Sequence, residues 1–161
     1  MSRGSTGEIV VRGDHMTLGY WRQEEQTRAA LRGGWMHSGD AGYMNDGGYV
    51  FIVDRIKYMI LSGGENVHSA EVENVLAEHP AVRLAAVVGI PDELLGERAH
   101  ALAVRRSGRH VTSDELRAFC RARIAGYKTP RAVEFVASLP VSGAGKILKH
   151  ALRANIVGGA H

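Results

Sequence analysis

The sequence predicts an α+β fold: a short β-rich segment, then a small α/β unit in which helices flank a central sheet. Three observations carry that prediction. Apolar residues on either side of Asn45-Asp46-Gly47-Gly48 repeat as paired strands around a turn. After Lys57 the pattern changes to alternating helix and strand signals. Thr112 and Glu115 have the spacing of a capping box before a one-sided apolar stripe.

In chain order, Glu8 to Arg12 reads as a short strand, and Ala41 to Met44 with Tyr49 to Val53 as a hairpin. Because Tyr49 to Val53 is apolar at every second and every intervening position, it is expected to be covered on both faces. Ser69 is placed as the N-cap of a helix carrying Val72, Val75 and Leu76, which Pro80 stops. Leu84 to Ile90 and Ala99 to Val104 read as strands. Thr112 opens a helix whose Leu116, Phe119, Cys120 and Ile124 share one side, ending near Gly126. A strand at Val133 to Val136 and a helix from about Ile147 to Ile156 follow, with Lys146, Lys149 and Arg153 expected on that helix's polar side.

Composition narrows the function classes. Of 161 residues, 45% are apolar and 23% charged, as in ordinary globular proteins. A net charge of +3 is dispersed among 17 acidic residues and aromatics form only 6%, which argues against a nucleic-acid surface and suits phosphate-bearing small molecules. No run approaches about 18 consecutive apolar residues, and the first residues lack a secretion signal's apolar core, so a cytoplasmic location is expected. The single Cys120 falls at core spacing and reads as an inert buried thiol. The eight histidines show no metal-ligand spacing, so no metal site is expected in this chain.

Five sequence islands stand in one order: GEIVVRG at 7–13, GYW at 19–21, GWMHSGDAG at 34–42, DRIKYMILSGGENV at 54–67 and LPVSGAGKILKHALR at 139–153. Together they resemble the C-terminal portion of the acyl-CoA synthetases, AMP-dependent ligases of the adenylate-forming superfamily. The resemblance implies that 1–56 is the end of a large N-terminal domain, part of a β-barrel-like subdomain. It implies that 57–161 is a mobile C-terminal domain. The reaction it implies activates a carboxylic acid, a fatty acid as the leading expectation, with ATP to an acyl adenylate, then transfers the acyl group to CoA. The phosphate loop, the acid pocket and the Mg²⁺ ligands of the family are expected outside this chain, which is therefore expected to be inactive alone. A stand-alone, non-catalytic binding module derived from this domain is the alternative.

The resemblance also assigns residues. Asp40 would accept both ribose hydroxyls of the nucleotide, for which a carboxylate's two oxygens are suited; an isolated Gly-Asp reads more readily as a turn aspartate, and the surrounding islands reverse that preference. Arg55 would reach the ribose or phosphate, or else pair on the surface with Asp54 or Glu65. Lys57 matches the hinge position, where backbone rotation reorients the C-terminal domain, while Tyr58 departs from the acidic residue common there. Gly63, Gly64 and Glu65 match the loop lining the path of the CoA pantetheine arm; glycine permits positive φ or close backbone approach. Tyr127 and Lys128 match a segment near the CoA nucleotide. Lys146 matches the lysine that bridges the attacking carboxylate and the α-phosphate. The neighbouring Ser142-Gly143-Ala144-Gly145-Lys146 is not a phosphate-binding P-loop, since Pro140 replaces its first glycine and Ile147 its Ser or Thr.

Overall fold

A computed structural model describes residues 3–158. The chain divides into two compact units, Met1–Lys57 and Tyr58–His161.

The first unit is built on an antiparallel sheet in the order β1-β2-β3: β1 (Gly7–Val11), β2 (Met36–Met44) and β3 (Val50–Arg55). The turn at 45–49 forms as the Asn-Asp-Gly-Gly sequence requires, with Asn45 Oδ1 accepting from the Tyr49 amide at 2.9 Å. Strand β2 starts five residues earlier than expected, because Met36 and the polar His37 pair with β1 (Val10 opposite His37, Val11 opposite Met36). Apolar periodicity cannot register a strand held in this way. A short helix α1 (Glu24–Ala30), with Glu24 and Glu25 in its first turn, was not foreseen. The expectation that Tyr49 to Val53 is covered on both faces fails within this unit. Ile52 is 68% exposed and Tyr49 71%, because three strands and one short helix offer too little apolar surface to cover both faces. Phe51 finds partial cover by stacking on Tyr43, ring centroids 5.2 Å apart.

The second unit centres on a five-stranded sheet of β4 (Ile60–Ser62), β5 (Glu65–Val67), β6 (Val82–Asp92), β7 (Gly96–Arg105) and β8 (Ala132–Phe135). Its order is β5-β4-β7-β6, and β8 pairs with β7 in parallel while the other pairings are antiparallel. Helices α2 (Ser69–Ala77) and α3 (Ser113–Arg121) contribute to a core on one face with Ile60, Val67, Val82 and Val87. Helix α4 (Lys149–Gly158) places Leu152 in a second core with Ala86, Val88, Ile90 and Leu102. Burial on both faces explains why β6 and β7 read as continuous apolar runs rather than as alternation. Both strands outlast those runs: Pro91 pairs with Glu97 and Asp92 with Gly96, so backbone pairing continues into a polar hairpin.

The capping box is present. Thr112 Oγ1 accepts from the Glu115 amide at 3.2 Å, and Glu115 Oε2 accepts from the Thr112 amide at 2.8 Å. Two expectations at helix ends are corrected. His68, not Ser69, is the N-cap of α2, and Ser69 is fully buried as its first helical residue. Helix α4 begins at Lys149 rather than Ile147, and Lys149 is buried rather than on the polar side, because it meets a carboxylate and a hydroxyl from α2.

Candidate nucleotide and thiol-ester site

In the first unit, antiparallel pairing places Asp40 of β2 opposite Arg55 of β3. Arg55 Nε meets Asp40 Oδ1 at 2.8 Å, and Nη1 donates to the Ser38 carbonyl at 3.3 Å. Asp40, not Asp54 or Glu65, is therefore the ion-pair partner of Arg55; Asp54 Oδ1 instead accepts the Arg55 backbone amide at 2.7 Å. Gly39 sits at φ +72°, a conformation that bends the strand just before Asp40. Ser38 Oγ secures this bend, donating to the Ile9 carbonyl at 2.7 Å and accepting from the Asp40 amide at 3.0 Å.

Glu8 supplies further support that sequence reasoning missed. One oxygen lies 2.6 Å from His37 Nδ1 and 3.0 Å from Arg32 Nη2, and the other accepts from the Gly39 amide at 3.3 Å. The hydrogen bond from His37, opposed by partial desolvation and aided by the charges of His37 and Arg32, holds the Glu8 carboxyl below its ordinary value. Its place in the GEIVVRG island was the available signal. The partners, 24 to 31 residues away, were not readable locally.

In the second unit, β4 and β5 form a tight hairpin with Ser62 opposite Glu65. The two residues between them, Gly63 and Gly64, have φ of +60° and +83°, the double left-handed conformation of a type I′ turn. The turn is braced from the β6–β7 hairpin: the Gly63 amide donates to the Leu95 carbonyl at 2.9 Å and the Leu61 amide to Glu97 Oε2 at 3.3 Å. Beside it lies a cavity of about 380 Å³ lined by Gly63, Glu65, Tyr127, Arg117, Arg121 and Arg131, among others. The fold thus joins Gly63 and Glu65 to Tyr127, far apart in sequence, in one concavity that three arginines also line; the Arg117 guanidinium is held by the Pro130 carbonyl at 3.2 Å and Asp114 Oδ1 at 3.1 Å. The three arginines were not singled out from the sequence, where they are separated by unremarkable spacing. Lys128 turns elsewhere, its Nζ held by Glu71 Oε1 at 2.8 Å and Oε2 at 2.7 Å.

Lys146 is exposed on a small hairpin of its own. Val141 and Ile147 bridge, the Ser142 amide donates to the Lys146 carbonyl at 2.8 Å, and the Leu148 amide to the Pro140 carbonyl at 2.9 Å. The lysine therefore projects from a β-turn three residues ahead of α4, not from a helix start. Lys57 is exposed in a single 3-10 turn, Ile56–Tyr58. Among the described residues no group of three or more His, Cys, Asp or Glu could hold a metal ion, and no helix is long and apolar enough to cross a membrane.

The family profile of the AMP-binding enzyme C-terminal domain matches residues 71–146. The chain is 49% identical over 150 residues to a feruloyl-CoA synthase from Amycolatopsis sp., covering 93% of this chain and 30% of that protein. It is 44% identical over 146 residues to a long-chain-fatty-acid–CoA ligase from Bacillus subtilis (strain 168), covering 91% and 26%. The ATP-bound crystal structure of MatB from Rhodopseudomonas palustris superposes with a TM-score of 0.92 at 33% identity, covering all of this chain and 32% of that one. The chain belongs to the adenylate-forming acyl-CoA synthetases, as their C-terminal portion. It spans about 30% of the length of the curated relatives it matches.

Proposed function

We propose that this chain is the C-terminal part of an ATP-dependent acid–CoA ligase that works through an acyl adenylate. The observation that carries this reading is the cavity lined by Gly63 of the glycine turn, Glu65 and Tyr127 together with Arg117, Arg121 and Arg131; Gly64 is not among its lining residues. Two segments assigned to the same ligand on sequence grounds line one concavity, with permanent positive charge where CoA's nucleotide phosphates would lie. Lys128, engaged by Glu71, fixes the Gly126–Lys128 turn that presents Tyr127.

In this reading Asp40 accepts the ribose hydroxyls, with its second task the ion pair that orients Arg55 toward the nucleotide. Lys146 brings an ammonium to the attacking carboxylate and the α-phosphate, offsetting charge that develops in the transition state. Lys57 is the pivot between the first unit, a remnant of the barrel-like end of a large domain, and the mobile second unit; the division of the chain after Lys57 supports that assignment. The exposed Tyr49, Phe51 and Ile52, which alternate across the two faces at β3, suit a segment that the large domain covers. Mg²⁺ would be bound by that domain, since the described residues here offer no cluster for it. The substrate is a carboxylic acid, with a fatty acid the leading candidate by likeness to the long-chain ligase. The enzyme is assigned to the cytoplasm.

The test uses the full-length enzyme that carries this chain. Lys146→Ala should lower acid-dependent pyrophosphate exchange by about 10²-fold or more, with thioester formation from preformed adenylate changed by less than about threefold. Equal loss in both half-reactions would overturn the assignment. The 161-residue chain alone should make no acyl-CoA from ATP, CoA and an acid panel.

A further inference from the structure

Lys149 lies three residues beyond Lys146, and its side chain is only 10% exposed. Its Nζ donates to Ser69 Oγ at 2.7 Å, meets Glu73 Oε1 at 2.7 Å and stands 4.9 Å from the centre of the Tyr58 ring. Glu73 Oε1 also accepts the Val87 amide at 2.7 Å, which fixes that carboxylate to β6 of the central sheet. A single ammonium thus gathers three pieces of chain: the residue after the pivot, the start of α2, and the base of the hairpin that carries Lys146.

Stability alone does not account for a lysine here. Removing an ammonium from water is costly even when it is paired, and an apolar side chain of similar length would fill the space without that cost. What the charge provides is a fixed geometry. Two short contacts and a ring face restrict the head group, and so help to fix where α4 begins. One turn later Arg153 Nη2 meets Glu97 Oε1 at 2.7 Å, while Glu97's other oxygen accepts the Leu61 amide beside the glycine turn. Helix α4 is thereby pinned twice, at Lys149 and at Arg153.

We propose that Lys149 is a positioning residue for adenylate formation: it locks the base of the Lys146 hairpin to α2 and Tyr58, so that Lys146 follows the pivot without slack. This rests on the roles given above to Lys146 and Lys57. A displacement of about 1 Å at a reacting group costs roughly 10²-fold in rate. Lys149→Met, which keeps length and loses charge, should therefore reduce kcat for acid-dependent pyrophosphate exchange in the full-length enzyme by about that factor. KM for ATP, and thioester formation from preformed adenylate, should stay within about threefold.

A second measurement does not depend on catalysis. In the 161-residue chain, Lys149→Met should speed hydrogen exchange at the Leu148 and Leu152 amides by about tenfold or more, while Ala86 and Leu102 in the central strands stay protected. Exchange at Leu148 and Leu152 within threefold of wild type, or a kcat within threefold, overturns the proposal. Equal loss in both half-reactions with faster exchange across β6 and β7 also overturns it, because it would mean simple destabilisation. If the wild-type enzyme shows no acid-dependent pyrophosphate exchange, the functional reading fails, and hydrogen exchange still decides whether Lys149 holds the hairpin.

Discussion

Replacing Asp40 with alanine should separate the proposed nucleotide binding from folding, because the two roles carry very different weights. The ion pair to Arg55 is short, 2.8 Å, but Arg55 is 51% exposed and Asp40 23%. Solvent screening limits such a pair to about 0.2–1 kcal/mol. Arg55 also keeps its contact to the Ser38 carbonyl, so the guanidinium retains an anchor after the substitution. The Tm of the full-length enzyme should fall by no more than about 4 °C. The nucleotide loses more. In the proposed role, two ribose hydroxyls donating to one carboxylate would make two charge-assisted hydrogen bonds, each worth about 1.5–3 kcal/mol. Their sum, about 3–6 kcal/mol, corresponds to a fall of roughly 10²- to 10⁴-fold in kcat/KM for ATP, at about 1.4 kcal/mol per tenfold. The assay is acid-dependent pyrophosphate exchange against ATP concentration, with a thermal melt on the same protein. A fall in kcat/KM below tenfold with an unchanged melt would refute the ribose assignment and leave Asp40 as a structural partner of Arg55.

Two further outcomes concern the chain itself. Glu8, held below its ordinary 4.5 chiefly by the hydrogen bond from His37, stabilises the fold above that pH and loses the effect as pH falls through its lowered value. Urea midpoints of Glu8→Gln should therefore lie below wild type at pH 7 and approach it as pH falls below about 4.5 through the lowered value; a constant gap would count against the His37 and Arg32 pairing. Burial raises the Cys120 thiol to about 11, so it stays protonated at neutral pH, and above about pH 9 the unfolded chain ionises first and stability declines. A disulfide reagent at pH 8 should modify the native chain at least about 100-fold more slowly than the urea-unfolded chain, and equal rates would show that α3 does not bury this residue.

The elements that the sequence showed most clearly are those whose cause is local. The Thr112–Glu115 box needs residues three apart, the 45–49 turn needs four polar or glycine positions, and the glycine pair needs only its own backbone freedom. Strands β6 and β7 were visible wherever they are buried on both faces, and invisible where Asp92 and Glu97 continue the ladder in polar residues. Strand β2 before Ala41 was hidden for the same reason, since pairing with β1 rather than apolar burial makes it a strand. The candidate site followed the same division. Asp40, Arg55, Gly63 and Lys146 stand in recognisable strings, but that Asp40 faces Arg55 depends on register across a hairpin. That Tyr127 joins the glycine turn depends on how the β4–β5 hairpin and the 126–131 segment pack, which no local pattern encodes.

Lys149 shows most sharply why this limit is physical. Helical spacing assigned it to a polar face together with Arg153, and the chemistry of the side chain gave no reason to disagree, because lysine is seldom buried. Its burial is decided by Ser69, 80 residues away, and by Glu73 one turn further along the same helix. Ser69 was misplaced for the complementary reason: a serine at a helix start normally caps the backbone, yet here its hydroxyl faces inward to receive an ammonium. Each error alone looks like a small slip in an element boundary. Taken together they identify one buried contact, in which two residues that look solvent-facing in isolation satisfy each other inside the fold. A pair of polar residues displaced from their expected positions is thus a sign of a distant partner, and in this chain that contact connects the start of α4, just after the Lys146 hairpin, to α2 and Tyr58.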